Sequence, residues 1–272
     1  MNNHSKVDSN VYIAELAVLD TLNEEYLLKW KIDFQYLSNE IPSELRAEIK
    51  ESLDLEIIYK TDILGNFIGI ENWEVLSGHV NNYLKRLTKM IAERLGQSNN
   101  IDQDMEKFYS ALTSKESLEY LIYKEIPTLH SLYDISVPTS GSMEFENEGT
   151  TPFSKSPQKF KTKITLLDID EYGLCSLKEE TGLEQESMKK IMSDFLKENL
   201  PNIPEEKEFN EALKLIKLDI SKVKTQSIDY NDGVIHFINY DTRVSIYLPE
   251  GNRTNYETIR IRLLSSSLDK TK

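Results

Sequence analysis

The chain has 272 residues, enough for one large domain or two smaller ones, and its apolar and aromatic content is typical of a globular protein. Its 32 Lys and Arg against 46 Asp and Glu give a net charge of -14, which repels polyanions and disfavours nucleic-acid binding. A single cysteine, Cys175, excludes an intrachain disulfide and a multi-cysteine metal site.

Hydropathy along the chain predicts no membrane span. No stretch approaches the roughly 20 consecutive apolar residues that a transmembrane helix needs. Residues 1–10 are polar and lack the apolar region of a signal peptide. We expect a periplasmic or cell-surface location if a signal peptide was removed, and a cytoplasmic location otherwise.

The segment from Val11 to Tyr36 predicts the first β-hairpin. Leu28 to Tyr36 alternates apolar and polar residues, which is typical of a strand with one face in the core and the other in water. Val11 to Leu19 is more continuously apolar and predicts a more deeply buried strand. The polar stretch Asp20 to Glu25 predicts the hairpin loop.

Three aromatic residues of the alternating strand share its apolar face: Trp30, Phe34 and Tyr36. If the sheet curls into a partial barrel covered by helices, these rings would floor a cavity for a small apolar ligand. Packing in an ordinary hydrophobic core explains the same pattern. Both interpretations stay open at the level of the sequence.

A second hairpin and a helical segment complete the N-terminal half. Alternation from Leu53 to Lys60 predicts a strand, Asp62 to Asn66 a turn, and Phe67 to Ile70 the returning strand. Apolar residues then recur at helical spacing, with Ser114 as the N-cap of the last helix and Pro127 expected to break it. The predicted helices are Glu74 to Leu95, Gln103 to Leu112 and Lys115 to Tyr133.

The composition changes from residue 134 to residue 158, where Pro, Gly, Ser and Thr are frequent. Such a composition is typical of a long loop or linker. We therefore expect two parts, residues 1–133 and 159–272, each with hairpins and a helical segment. Whether the two parts share one sheet stays open.

After this linker the sequence predicts strands around a helical insertion. Asn231-Asp232-Gly233 is a turn signal and places a hairpin at that point. The predicted strands are Phe160 to Ile169, Tyr172 to Leu177, Val223 to Tyr230, Val234 to Tyr240, Val244 to Leu248 and Ile259 to Leu263, and the predicted helices are Glu184 to Asn199 and Glu205 to Lys217.

The order of these elements predicts the fold class. Strands joined by short turns favour antiparallel pairing, because parallel strands need a long crossover connection. We expect an α+β fold with an antiparallel sheet, open or curled into a partial barrel, and with helical insertions. The turn regions Tyr59 to Asn72 and Asp229 to Asn239 are loosely alike, which is consistent with a diverged internal duplication.

One segment has the spacing of a calcium-binding loop. Asp168, Asp170, Tyr172, Gly173 and Glu179 occupy the first, third, fifth, sixth and twelfth positions of an EF-hand loop. The fifth position normally carries Asp or Asn, and the residues before the loop predict a strand where an EF-hand has a helix. A polar hairpin between two strands explains the same residues.

The other chemistry-bearing residues form no recognised catalytic or cofactor motif. The four histidines are not spaced to converge on a metal ion, and Ser140-Gly141-Ser142 lacks the flanking strand and helix of a nucleophile elbow. Gly-rich phosphate-binding patterns are absent, so no cofactor is predicted. The paired carboxylates of a hydrolase are defined by their separation in space and leave no fixed spacing in a sequence.

The segment Tyr59 to Trp73, followed by a long helix, resembles a strand-turn-strand signature of uncharacterised exported proteins and lipoproteins of bacteria. The run Tyr240 to Gly251 and the strand Ile259 to Leu263 are similar to the end of those proteins. The resemblance implies a two-part antiparallel sheet and a location in the bacterial envelope. It implies no activity and no site residues.

Three functional classes are compatible with these features. We expect a non-enzymatic binding or interaction protein, whose partner is a protein or a small apolar ligand. The second class is an acidic inhibitor or immunity protein that masks a basic partner. The third is a hydrolase with carboxylates paired in space.

Overall fold

The computed structural model describes residues 9–37, 43, 46–47, 49–50, 55–94, 103–151, 154–184, 187–191, 193, 217–248 and 251–265. The chain divides into two compact units, Met1–Ile135 and Ser136–Lys272. Each unit contains one antiparallel sheet and helical segments, which confirms the predicted α+β class. Both sheets are open, because each runs from one edge strand to another.

The sheet of the first unit has four strands in the order β1-β2-β3-β4. They are β1 (Val11–Leu22), β2 (Glu25–Tyr36), β3 (Glu56–Asp62) and β4 (Phe67–Ile70). The β1–β2 turn has two residues, Asn23 and Glu24, with φ of 50° and 66°, which fits the left-handed backbone of a tight hairpin turn. The predicted loop from Asp20 to Glu25 is therefore shorter, and its other residues pair within the strands.

Alternation along β2 places its apolar residues in the core, as predicted. Leu28, Trp30 and Ile32 are buried, and Lys31 between them is exposed. The prediction for β1 was wrong: this strand is mostly exposed. β1 is the first strand of the sheet and, in the described part of the chain, pairs with β2 alone, so its long apolar run lies at an edge.

Helical segments follow β4 in the first unit. They are α1 (Trp73–Arg94), α2 (Gln103–Leu112), α3 (Lys115–Ser117), a π-helical turn (Leu118–Ile122) and α4 (Glu125–Leu129). The Ser114 hydroxyl accepts the N–H of Ser117 at 3.2 Å, which confirms the predicted N-cap. No helix in the described ranges is long and apolar enough to cross a membrane.

Pro127 does not end a long helix, contrary to the prediction. The helical path breaks before it, at Tyr123, and Pro127 is the third residue of α4. The first four N–H groups of a helix have no intrahelical acceptor, so proline costs no hydrogen bond at this position.

The sheet of the second unit has six strands in the order β10-β9-β8-β7-β6-β5, each hydrogen-bonded to the strand next to it in sequence. They are β5 (Ser142–Thr151), β6 (Ser154–Ile169), β7 (Leu174–Leu183), β8 (Lys217–Asp229), β9 (Ile235–Leu248) and β10 (Gly251–Arg262). The two predicted strands from Val234 to Leu248 form one strand, and the turn before it includes Gly233 with φ of 73°.

The predicted linker from 134 to 158 is largely a β-hairpin. Glu144, Glu146 and Glu148 of β5 lie opposite Lys163, Lys161 and Lys159 of β6. Residues 144–148 are exposed on both faces of the strand, so the sequence shows no apolar alternation there. Opposite charges on neighbouring strands stabilise the pair in place of apolar contacts.

A small core of the second unit joins the sheet to a helical turn at residues 187–191. Its buried members are Phe160, Leu183, Ile191, Leu218 and Ile220. This turn lies in the predicted helix Glu184 to Asn199. Residues 194–216, which hold the rest of that helix and most of the helix predicted from Glu205 to Lys217, lie outside the described residues.

Candidate functional site

The three aromatic residues predicted to line a cavity do not lie on one face of the sheet. Trp30 is 5% exposed and lies opposite Leu16 and Ile57 in the sheet. The ring of Phe34 packs against Tyr12 with the ring centroids 5.6 Å apart. A bulge in β2 pairs Tyr36 with Val11, where its side chain is exposed. The first two rings therefore belong to the packed face of the sheet, and Tyr36 lies outside it.

The residues with calcium-loop spacing lie in a β-hairpin and not between two helices. Asp170 is in the β6–β7 turn, where its Oδ1 accepts the N–H groups of Tyr172 at 2.9 Å and Leu174 at 2.8 Å. Asp168 lies in β6, and Glu179 lies in β7 next to Lys224. Among the described residues no group of three or more His, Cys, Asp and Glu is placed to hold a metal ion.

A buried hydrogen-bond chain connects the sheet of the first unit to α4. His130 Nδ1 lies 2.8 Å from the carbonyl oxygen of Gly65 and must donate to it, because a carbonyl only accepts. Nε2 is then the acceptor for the hydroxyl of Tyr59 at 2.9 Å. Burial lowers the pKa of His130 to about 4 and raises that of Tyr59. Tyr59 and His130 are buried and uncharged at neutral pH, so this hydrogen-bond chain holds the helical segment against the sheet of the first unit.

Glu119 of the π-helical turn occupies the free side of β4. Its buried carboxylate accepts the N–H of Ile70 at 2.8 Å, and Lys115 Nζ lies 3.9 Å away. Burial raises the pKa of Glu119, and the contacts with Ile70 and Lys115 act in the opposite direction. Through this contact the helical segment covers the edge strand β4.

Two polar side chains are buried side by side along β8 of the second sheet. Lys224 is 2% exposed, and its Nζ lies 3.5 Å from a carboxylate oxygen of Glu179. Burial lowers the pKa of Lys224 to about 8, although Glu179 acts to raise it. Gln226 is fully buried, and neither its amide oxygen nor its amide nitrogen has a hydrogen-bond partner. Its direct neighbours in the sheet are Leu177 and Ile238.

The most unusual surface is the free edge of the first sheet. Leu16 and Val18 lie opposite the buried Trp30 and Leu28, yet they are 44% and 61% exposed. At β1, the face of the sheet that is packed elsewhere is therefore exposed to solvent. We call this surface the β1 edge, and its exposed apolar residues are Val11, Ile13, Leu16, Val18, Leu19 and Leu22.

Within the described ranges, the other three sheet edges are β4, β5 and β10, and they carry the features that normally prevent edge-to-edge association. β4 has four residues and is covered by Glu119. β5 exposes Glu144, Glu146 and Glu148. β10 is largely exposed and polar, and its charged residues are Arg253, Glu257, Arg260 and Arg262. Short strands and charged side chains are the usual protection of a sheet edge. β1, in contrast, has 12 residues and only two charged side chains, Glu15 and Asp20.

Sequence reasoning missed the β1 edge because a continuous apolar run is equally typical of a fully buried strand. A signal was nevertheless present. A strand that opens an antiparallel meander has only its hairpin partner unless a later strand returns to it, so the first strand of such a sheet is an edge by default.

Comparison with known proteins assigns neither a family nor a function to the chain. No family model matches the chain, and no curated protein and no solved structure matches it. The resemblance to exported bacterial proteins and the envelope location that it implies therefore stay predictions.

Proposed function

We propose that this chain is a non-enzymatic protein-interaction protein and that the β1 edge is its binding surface. The observation that carries the proposal is the exposure of Leu16 and Val18 on the same face as the buried Trp30 and Leu28. Burying apolar area of this kind is the main favourable term in protein association. A partner that continues the sheet beyond β1 would also complete the core.

The backbone of β1 supports binding of an extended polypeptide. An edge strand presents N–H and C=O groups that another strand can pair with, and strand addition is a recurrent mode of peptide recognition. β1 has 12 residues, longer than the mean strand of about five or six. Side-chain contacts on alternate residues would then select the sequence of the bound strand.

The charge of β1 limits the chemistry of the partner. Its two charged residues are Glu15 and Asp20, and the whole chain carries -14. A bound strand would therefore be neutral or basic and would carry apolar residues on alternate positions.

Selection from a random peptide library tests this proposal. Peptides of about 12 residues, the length of β1, are displayed and selected against the immobilised full chain. We expect enriched peptides with apolar residues at alternate positions. Their affinity should fall about tenfold or more in Val18→Lys and in Ile13→Lys, which place a charge on either face of the strand.

Val75→Lys is the matched control for this selection. Val75 lies in α1 and is 58% exposed, close to the 61% of Val18, so the two substitutions add the same charge at similar exposure. Peptides that bind Val18→Lys and Ile13→Lys as well as they bind the unmodified chain would place the binding surface elsewhere and overturn the proposal.

A further inference from the structure

We propose that two neighbouring turns of the second sheet form a binding surface for a basic polypeptide segment that carries arginine. The turns join β6 to β7 at residues 170–173 and β8 to β9 at residues 230–234, and we call them the paired turns. The inference goes beyond the proposed function, because it concerns the second unit and not the β1 edge.

Backbone contacts hold the paired turns against each other. The neighbouring strands β7 and β8 place Leu174 opposite Asp229, so both turns lie at the same end of the sheet. The N–H of Tyr230 donates to the carbonyl oxygen of Gly173 at 3.0 Å. Gly173 has φ of 95°, and a Cβ atom there would lie 3.0 Å from Cε1 of Tyr230, so this close contact requires glycine. The two turns therefore form one continuous surface.

The paired turns expose two tyrosine side chains. Tyr172 is 78% exposed and Tyr230 is 62% exposed. Hydrogen bonds fix the backbone beside each ring: Asp170 Oδ1 accepts the N–H of Tyr172 at 2.9 Å, and Asp229 Oδ1 accepts the N–H of Asn231 at 2.9 Å. Tyrosine offers a large contact area at a low cost in conformational entropy and is enriched among the residues that dominate binding energy. The two rings are therefore the centre of the proposed surface.

The charge around the two rings is negative. Residues 164–177 and 225–235, which hold both turns and the adjoining parts of their strands, contain no Lys or Arg. Arg262 of β10 lies opposite Phe237, one strand beyond the paired turns. The carboxylates at this end of the sheet are Asp168, Asp170, Glu171, Asp229 and Asp232. Charge complementarity therefore selects a basic partner.

The combination of rings and carboxylates fits arginine better than lysine. A guanidinium stacks on an aromatic face and pairs with a carboxylate through two N–H groups, which an ammonium does not do. Asp170 Oδ2 forms no hydrogen bond in the described part of the chain, because both bonds to this carboxylate use Oδ1. A polypeptide segment with several basic residues would contact both rings and the carboxylates around them.

Binding of short basic peptides tests the inference. Fluorescence anisotropy of labelled hexa-arginine and hexa-lysine is measured with the full chain at about 0.15 M ionic strength, where the Debye length is about 8 Å and long-range attraction is screened. We expect hexa-arginine to bind more tightly than hexa-lysine. Its dissociation constant should rise about two- to fivefold in Tyr172→Ala, and about tenfold when Tyr230→Ala is added, because each substitution removes one cation–π contact.

Matched controls separate local contact from net charge. Tyr256→Ala removes a ring that is 68% exposed and, like Tyr172, adjoins a glutamate in the sequence, but that lies on β10. Glu171→Gln and Glu148→Gln each remove one negative charge at an exposed position, the first at the paired turns and the second on β5. We expect Glu171→Gln to weaken binding about twofold, and Tyr256→Ala and Glu148→Gln to leave it unchanged. Circular dichroism checks that each variant keeps its fold.

Three outcomes overturn the inference. Absence of hexa-arginine binding at about 1 mM chain contradicts it directly. Equal affinity for the two peptides, or equal losses in Tyr172→Ala and Tyr256→Ala, would leave net charge as the cause of binding. A loss in Val18→Lys as large as that in Tyr172→Ala would place the peptide on the β1 edge, so the inference would fail while the proposed function stood. Peptide selection at the β1 edge tests the proposed function separately.

Discussion

Gln226 is a fully buried amide with no hydrogen-bond partner, set between Leu177 and Ile238. An unsatisfied buried polar group costs about 1–3 kcal/mol. Gln226→Met keeps a similar length and removes the amide, so we expect it to raise the free energy of unfolding by about 1–3 kcal/mol. Urea unfolding followed by circular dichroism measures the change.

Gln35→Met is the control for Gln226→Met, because it makes the same substitution at an exposed position. Gln35 is exposed and bonds to Asp33 at 2.8 Å, so its replacement should change stability by no more than about 0.5 kcal/mol. A loss of stability in Gln226→Met would mean that the amide contributes favourable contacts, and the interpretation of Gln226 as an unsatisfied buried amide would be wrong.

At the scale of elements, His130 connects α4 to the β3–β4 turn through Gly65 and to β3 through Tyr59. The folded-state pKa of His130, about 4, is below the ordinary value of 6.5, so the unfolded state binds more protons between these values. The stability contributed by His130 is therefore complete above pH 6.5 and is lost as pH falls towards 4. Its slope reaches at most about 1.4 kcal/mol per pH unit for one proton.

Comparison of variants isolates this contribution. We expect His130→Gln to lower stability at neutral pH and to flatten its decline between pH 6.5 and 4, measured by urea unfolding at several pH values. Glu119 contributes with the opposite sign because burial raises its pKa, but it is present in both proteins. His79→Gln at an exposed position of α1 should leave the decline unchanged. An unchanged slope in His130→Gln would show that another group causes the decline.

At the scale of the whole molecule, the net charge of -14 attracts a basic strand to the chain. Salt screens this attraction, since the Debye length falls from about 30 Å at 0.01 M to about 8 Å at 0.15 M ionic strength. We therefore expect the dissociation constant of a basic peptide selected against the β1 edge to rise severalfold over this range of NaCl concentrations. Fluorescence anisotropy of the labelled peptide at each concentration measures it.

Glu15→Gln refines the salt experiment. Glu15 is one of the two charged residues of β1, so the variant should bind the basic peptide more weakly at low salt and its affinity should depend less on salt. A dissociation constant that is the same in Glu15→Gln and in the unmodified chain at every salt concentration would show that the charge of β1 does not contribute to binding.

Local patterns predicted many of the elements. Alternation identified the buried face of β2, because Leu28, Trp30 and Ile32 are two residues apart on a pleated strand. The turns at Asp62 to Asn66 and Asn231 to Gly233 followed from residues that stabilise tight turns by themselves. The β5–β6 hairpin was missed because residues 144–148 are exposed on both faces and carry no apolar period.

The candidate site was less predictable. The sequence indicated apolar side chains from Val11 to Leu19, but their periodicity could not show that β1 pairs with β2 alone among the described residues. Simple alternation predicts that Trp30, Phe34 and Tyr36 share one face of β2. In the structure a bulge in β2 places Tyr36 on the other face. A bulge adds one residue to a strand and leaves no fixed mark in the sequence.

The sequence by itself determined the antiparallel α+β class and its main turns, because alternation, helical period and turn residues act over a few neighbouring positions. Only the tertiary structure decided which strands are edges and which polar groups are buried. The hydroxyl of Tyr59 and the ring of His130 meet although 71 positions separate them in the chain. β1 is exposed because, among the described residues, it pairs with β2 alone. Both properties depend on contacts between distant segments, which no local pattern encodes.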